Sequence, residues 1–188
     1  MMAMGAGELG LTEEEIKSIV DDWRAASPNI VQFWWDVDAA ATTTITERCE
    51  TTTHGLRFEY KSGILFITLP SGRKLAYVQP AIGENRFGGQ AITFMGLTMA
   101  KKWERVETFG AKIAENLTQA VARDILCYAM QNLKDRFICG HVHDEMIIEA
   151  PKGTSLQEIC DIMGQTPPWA KGLPLRADGY VTPFYKKD

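Results

Sequence analysis

Residues 139–148 hold the side chains of this chain that are best suited to chemistry. His143, Asp144 and Glu145 are consecutive at the centre of this segment. Apolar residues with a preference for strands lie on both sides, and two such short runs around a polar centre are typical of a β-hairpin. A hairpin would hold the three polar side chains at a tight turn, where a carboxylate can bind a divalent cation. The segment therefore predicts a metal-dependent site at a turn.

Length and composition restrict the class of protein. A chain of 188 residues, 45% of them apolar and 23% charged, suits a globular protein with one sizeable core. The net charge of −4 argues against a protein that coats nucleic acid non-specifically, although it permits a local basic groove. The four cysteines form no CxxC pair, and no membrane span or secretion signal is visible. We therefore expect reduced thiols, a cytoplasmic location and no membrane partner.

Two helices are predicted near the start of the chain. Thr12 and Glu15 have the spacing of a capping box, and apolar residues at helical intervals continue to about Ala26. Ser27, which a proline follows, would cap a second helix that fades near Thr44.

The pattern changes to strands in the middle of the chain. Apolar residues alternate with polar ones in three runs separated by turn signals, which predicts a small three-stranded antiparallel meander over 56–60, 64–68 and 74–78. The Gly-rich segment 83–96 is expected to be an irregular connection.

The longest helical pattern runs from about 102 to 133 and precedes the hairpin. One stripe of this predicted helix is apolar, whereas Asn116, Gln119 and Arg123 share a polar face at steps of three and four residues. A short helix is expected over 156–163 and strand-like structure over 173–185. The fold class is therefore α+β, with long helices packed on antiparallel strands, and residues 1–188 are expected to form one unit.

Several segments together resemble the C-terminal palm of family A DNA polymerases, the group that includes bacterial DNA polymerase I. The segments are 103–109, 115–124 and the His143-Asp144-Glu145 hairpin, in that order, and 4–12 and 23–30 are similar to the phage and prophage branch. The resemblance covers essentially the whole chain. It implies a DNA-directed DNA polymerase, a nucleotidyltransferase that acts by a two-metal mechanism and uses Mg²⁺.

The resemblance also implies roles for individual residues. Asp144 corresponds to a metal ligand of the family's motif C, Glu145 to a weaker or outer ligand, and His143 to a group near the primer terminus. Gln119 and Asn116 would face the minor groove of the primer-template DNA, although Asn116 lies three residues before Gln119 instead of four. Arg123 lies on the same face and could reach a phosphate.

Two parts of the family's pattern are not found in the sequence. These are motif A, with the other metal-binding aspartate, and motif B, with the fingers helix that binds the deoxynucleoside triphosphate. We therefore expect the isolated chain to be catalytically incomplete. Its partners would be primer-template DNA, the nucleotide in the complete enzyme, and the part of the polymerase that carries motifs A and B.

Two other interpretations remain open. Cys139, His141 and His143 would point to one face of a regular strand and could bind zinc. The chain could also be a non-catalytic DNA-binding module or a prophage remnant, since two motifs are absent.

Overall fold

The computed structural model describes residues 10–85 and 87–185. Within these residues the helices are α1 (Glu13–Ala26), α2 (Pro28–Glu47), α3 (Gly110–Asn132) and α4 (Leu156–Met163). The strands are β1 (Thr51–Thr53), β2 (Leu56–Lys61), β3 (Ile64–Thr68), β4 (Lys74–Glu84), β5 (Gln90–Leu97), β6 (Trp103–Thr108), β7 (Phe137–Val142) and β8 (Glu145–Glu149). The chain is therefore α+β, while its assignment to a polymerase palm stays a prediction.

The chain divides into two compact units, each built from several segments. The first comprises Met1–His54, Phe58–Leu65 and Tyr77–Ala114, and the second comprises Gly55–Arg57, Phe66–Ala76 and Glu115–Asp188. Residues 4–9, which belong to one of the segments that carry the family resemblance, lie outside the described residues.

The first two helices begin close to where the sequence places them. The Thr12 hydroxyl accepts a hydrogen bond from the Glu15 backbone N–H, and the Glu15 carboxylate accepts one from the Thr12 N–H at 2.8 Å, so the capping box is confirmed. Ser27 occupies the N-cap position of α2 but makes no side-chain capping hydrogen bond, and the proline after it begins the helix. Helix α2 continues to Glu47, beyond the predicted end near Thr44, because burial of Thr44 and Ile45 outweighs the low helix propensity of the threonines.

Strands β1 to β6 form one six-stranded sheet in sequence order. The three predicted strands correspond to β2, β3 and β4, so the meander is part of a larger sheet. The expectation of an irregular connection over 83–96 was wrong. Strand β4 extends to Glu84, and Gly83 lies opposite Ala91 of β5 in an antiparallel pair. Ladder hydrogen bonds need only the backbone, so glycines near a strand end did not prevent pairing.

The predicted helix from about residue 102 begins eight residues too early. Residues Trp103 to Thr108 form β6, which pairs antiparallel with β5 from Leu97 opposite Trp103 to Ile92 opposite Thr108. Phe109 lies between β6 and α3 and is 56% exposed, although its spacing fits the predicted apolar stripe. Pairing with a neighbouring strand overrode the local helical pattern, because it satisfies the backbone of the whole segment.

Helix α3 begins where a glycine allows close approach to α2. The Gly110 N–H donates to the Asp38 carboxylate at 2.7 Å, which satisfies one of the free donors of the first turn. A Cβ atom at Gly110 would lie 2.2 Å from the Trp34 carbonyl oxygen, so no larger residue fits there. From this start α3 buries Ile113 and Leu117, as its predicted apolar stripe requires.

Beyond the hairpin, α4 is confirmed and the strand-like C-terminal segment is not. Residues 173–185 form no strand, because they pair with no edge among the described strands. No helix in the described ranges is long and apolar enough to cross a membrane.

Candidate active site

The predicted hairpin is present, and its polar residues form its tip. Strands β7 and β8 pair antiparallel, and Val142 opposite Glu145 is the last pair before the turn. His143 and Asp144 therefore form a two-residue turn. His143 has a φ of 50°, in the left-handed region that non-glycine residues seldom adopt. The turn thus places an imidazole and two carboxylates at consecutive positions.

The side chains of the tip are open to solvent. His143, Asp144 and Glu145 are all exposed, and in the described part of the chain none of their side chains makes a hydrogen bond or ion pair. The strands beside them are less buried than their apolar sequence suggests, and Phe137 at the start of β7 is 68% exposed. The carboxylates are therefore free to meet a cation or a substrate from solvent.

The zinc interpretation is not supported by the geometry. The register of the hairpin shifts between Ile138 and Gly140, so Cys139 is an extra residue in a β-bulge. Cys139 and His141 are both exposed on β7, whereas His143 lies in the turn and has left the strand. Within residues 10–85 and 87–185, no three His, Cys, Asp or Glu side chains come together as a metal site.

The polar face of α3 forms as predicted. Gln119 and Arg123 are exposed and Asn116 is half-buried, which the spacing of three and four residues places along one side of the helix. The Gln119 amide donates to the Glu115 carboxylate at 3.3 Å, across one turn of the helix. The two amides and the guanidinium are thus arranged in a row along the helix axis.

Arg123 contacts a histidine of the hairpin strand. Its Nη1 lies 3.1 Å from Nδ1 of His141, and its Nη2 lies 3.2 Å from Nε2 of the same ring. Both side chains are exposed. The sequence pattern predicts Arg123 on the polar face of α3 but not its contact with His141, because the two residues are 18 positions apart.

The structure adds a polar cluster around Asp124 that sequence analysis missed. Its carboxylate, only 9% exposed, accepts from Arg73 Nε at 2.5 Å and from the Ser71 hydroxyl at 2.5 Å. Arg73 also donates to the Ala120 carbonyl at 2.7 Å. Through these contacts Arg73 holds the turn after β3 against α3. The position of Asp124 beside the apolar stripe of α3 is the sequence feature that could have indicated a paired carboxylate.

Comparison with known proteins gives one informative relative. The whole chain is 46% identical, over 193 aligned residues, to a protein named DNA polymerase from Bacillus phage SP02. The chain spans 30% of the length of that phage protein. No family model matches the chain, and no solved structure matches it. The chain is therefore similar along its whole length to part of a phage protein of that name.

Proposed function

We propose that this chain is the C-terminal palm portion of a family A DNA-directed DNA polymerase of the phage type. The observation that carries the proposal is the 46% identity, over the whole chain, to the phage protein named DNA polymerase. The geometry adds a hairpin that presents His143, Asp144 and Glu145 to solvent at consecutive positions. A tip of this kind suits a site that must receive both a metal and a DNA end.

The carboxylates of the tip fit Mg²⁺. Hard carboxylate oxygens are its usual protein ligands, and proteins commonly supply one or two of them while substrate phosphates and water complete the shell. Asp144 would hold the metal and Glu145 would support it from the first position of β8. Bound there, Mg²⁺ would supply the electrostatic stabilisation that nucleotidyl transfer to a primer 3′ oxygen requires.

His143 would position the primer terminus. Its imidazole is exposed beside Asp144, and neither nitrogen is used by another side chain in the described residues. A ring N–H can donate to a phosphate or sugar oxygen of the terminal nucleotide. The left-handed backbone of His143 directs the turn without help from a glycine, and such strain is commonly kept where a side chain is needed.

Helix α3 would read the shape of the primer-template DNA. Amide groups such as those of Gln119 and Asn116 can donate to the purine N3 and pyrimidine O2 acceptors that every base pair presents in the minor groove. Such contacts do not depend on sequence, as a polymerase requires. Arg123, one turn beyond Gln119, would lie near the phosphate backbone.

The rest of the site would come from elsewhere in a complete polymerase. A two-metal mechanism needs further carboxylates, and the described residues bring no third acidic, His or Cys ligand to the tip. The nucleotide would need a basic helix of the fingers type. We therefore expect no primer extension by the chain alone.

Reconstitution tests the proposal. The purified chain is mixed with a fragment of a related phage polymerase that carries motifs A and B, and primer extension is measured with Mg²⁺ present and absent. We expect extension only from the mixture, and none when the chain carries Asp144→Ala. The matched control Asp135→Ala, which removes an exposed carboxylate outside the tip, should extend primers normally.

Two outcomes would contradict the proposal in different ways. Robust extension by the chain alone would show that the site is complete without motifs A and B. DNA binding without extension from any mixture would favour a non-catalytic DNA-binding module instead.

A further inference from the structure

The contact between Arg123 and His141 brings together more hydrogen-bond donors than it has acceptors. A neutral imidazole offers one acceptor nitrogen and one N–H, whereas the guanidinium offers only donors. Both ring nitrogens lie within 3.2 Å of a guanidinium nitrogen. Only one of the two contacts can therefore be a hydrogen bond from arginine to histidine, and the other opposes two N–H groups. A group with several acceptor oxygens would satisfy all of these donors at once.

We propose that Arg123 and His141 together bind one phosphate of the DNA backbone. This inference rests on the proposed function and adds His141, a strand residue, to the DNA-contacting face of α3. A phosphodiester has two non-bridging oxygens, which match the parallel N–H groups of a guanidinium and leave room for an imidazole donor. Both side chains are exposed, so a duplex can reach them without rearrangement of the core.

The position of the pair favours DNA as the source of the phosphate. Arg123 follows Gln119 by one helical turn on the same polar face, and Gln119 is proposed to lie in the minor groove. A side chain one turn away from a groove contact is suitably placed for the flanking backbone. With a net charge of −4, the chain also needs local cationic contacts to hold a polyanion.

The contact with His141 would also prepare Arg123 for binding. A free arginine side chain has many rotamers, and immobilising it on DNA costs conformational entropy. Because the Arg123 guanidinium contacts the His141 ring on β7, it has lost part of that freedom before DNA binds. Loss of the imidazole should therefore weaken binding even under conditions where the imidazole is neutral.

Salt-dependent DNA binding tests the proposal. The chain and its variants bind a fluorescent primer-template duplex at pH 8, and the dissociation constant is measured over a range of NaCl concentrations. We expect Arg123→Ala to weaken binding about tenfold and to lower the slope of log K against log salt by about 0.9, the value for one lost phosphate contact. His141→Ala should weaken binding about threefold and leave the slope unchanged, because no charge is lost.

Two further variants separate charge from geometry. Arg123→Lys should keep the slope but recover only part of the affinity, since lysine lacks the planar fork of donors. Lys152→Ala, in the exposed turn after β8, removes one positive charge elsewhere and should change neither affinity nor slope. Circular dichroism of each variant confirms that the fold is kept.

The outcomes distinguish this inference from the proposed function. If the unchanged chain binds DNA but Arg123→Ala and His141→Ala bind like it, the pair contacts no phosphate and only this inference fails. If the unchanged chain binds no DNA at all, both fail. A titration with inorganic phosphate, followed through the NMR signals of the His141 ring, tests whether the pair binds free phosphate instead. Phosphate binding that Arg123→Ala abolishes, with no change in DNA affinity in either variant, would assign the site to a free phosphate and overturn the DNA contact.

Discussion

Two aspartates of the second unit, Asp124 and Asp144, are in opposite environments. Asp124 on α3 is 9% exposed, and its carboxylate accepts hydrogen bonds from both Arg73 and Ser71. Asp144 lies at an exposed turn, and the described residues give it no partner. The hydrogen-bonding capacity of the first carboxylate is used within the protein, whereas the second carboxylate is open to solvent.

The difference teaches how to separate structural from functional acids. A buried carboxylate must be paired, because an unpaired charge away from water costs several kcal/mol. Its partners are then fixed, and it has little left to offer a metal. An exposed carboxylate such as that of Asp144 has no side-chain partner in the described residues, so its removal breaks no contact there. The two residues should therefore respond to mutation in opposite ways.

The largest expected effect is a loss of primer-extension activity when Asp144 is replaced. In the reconstituted polymerase, Asp144→Ala should lower the rate of nucleotide addition on the order of 10³-fold, because a metal ligand acts in the chemical step. The affinity for primer-template DNA should change little, and so should the stability of the chain. Single-turnover primer extension and DNA titration give the two numbers. Equal losses of rate and affinity would argue against a metal role for Asp144.

The converse effect is expected at Asp124. Asp124→Asn keeps the shape of the side chain but removes the charge that Arg73 and Ser71 satisfy, and should lower the free energy of unfolding by about 2 kcal/mol. This loss of stability is smaller than for a fully buried ion pair, because the Arg73 side chain is 44% exposed. Urea denaturation measures it, with Asp135→Asn as the exposed control. An unchanged midpoint would mean that the cluster does not hold the turn.

A smaller effect tests whether the tip is kept for function at some cost to stability. Glycine adopts the left-handed region freely, so His143→Gly should raise the free energy of unfolding by about 0.5 kcal/mol while primer extension falls. Ser62→Gly is the matched control, since Ser62 has a φ of 51° in the turn after β2. It should give the same gain in stability without loss of activity. A loss of stability in His143→Gly would show that the imidazole has structural contacts.

The smallest effect concerns Asp36, a half-buried aspartate that does have partners. Hydrogen bonds from His54, and to a lesser degree from Gln32, hold the pKa of the Asp36 carboxyl below its ordinary value. A lowered pKa contributes stability that is complete above the unfolded value, near pH 4, and is lost as the pH falls through the folded value. NMR titration of the carboxyl carbons should show that His54→Ala raises the pKa of Asp36 more than Gln32→Ala does. Equal pKa values of Asp36 in all three proteins would show that neither hydrogen bond lowers its pKa.

Most of the helices and the hairpin could be predicted from the sequence, whereas contacts between distant residues could not. The capping box of Thr12 and Glu15 joins residues three positions apart, so both halves are visible in one short segment. Strand β6 was predicted as a helix, because its side chains at steps of three and four resembled a helical stripe. Only the presence of β5 beside it selects the strand.

The sequence alone determined the features that depend on close neighbours along the chain. These are the start of α1, the polar face of α3, and a hairpin with a tight turn at His143, Asp144 and Glu145. The tertiary structure decided which polar groups meet. Arg73 reaches Asp124 across 51 positions and Arg123 reaches His141 across 18, and no local pattern specifies either pair. Local hydrogen bonds and periodicity are written into short segments, whereas the pairing of charges depends on how helices and strands pack.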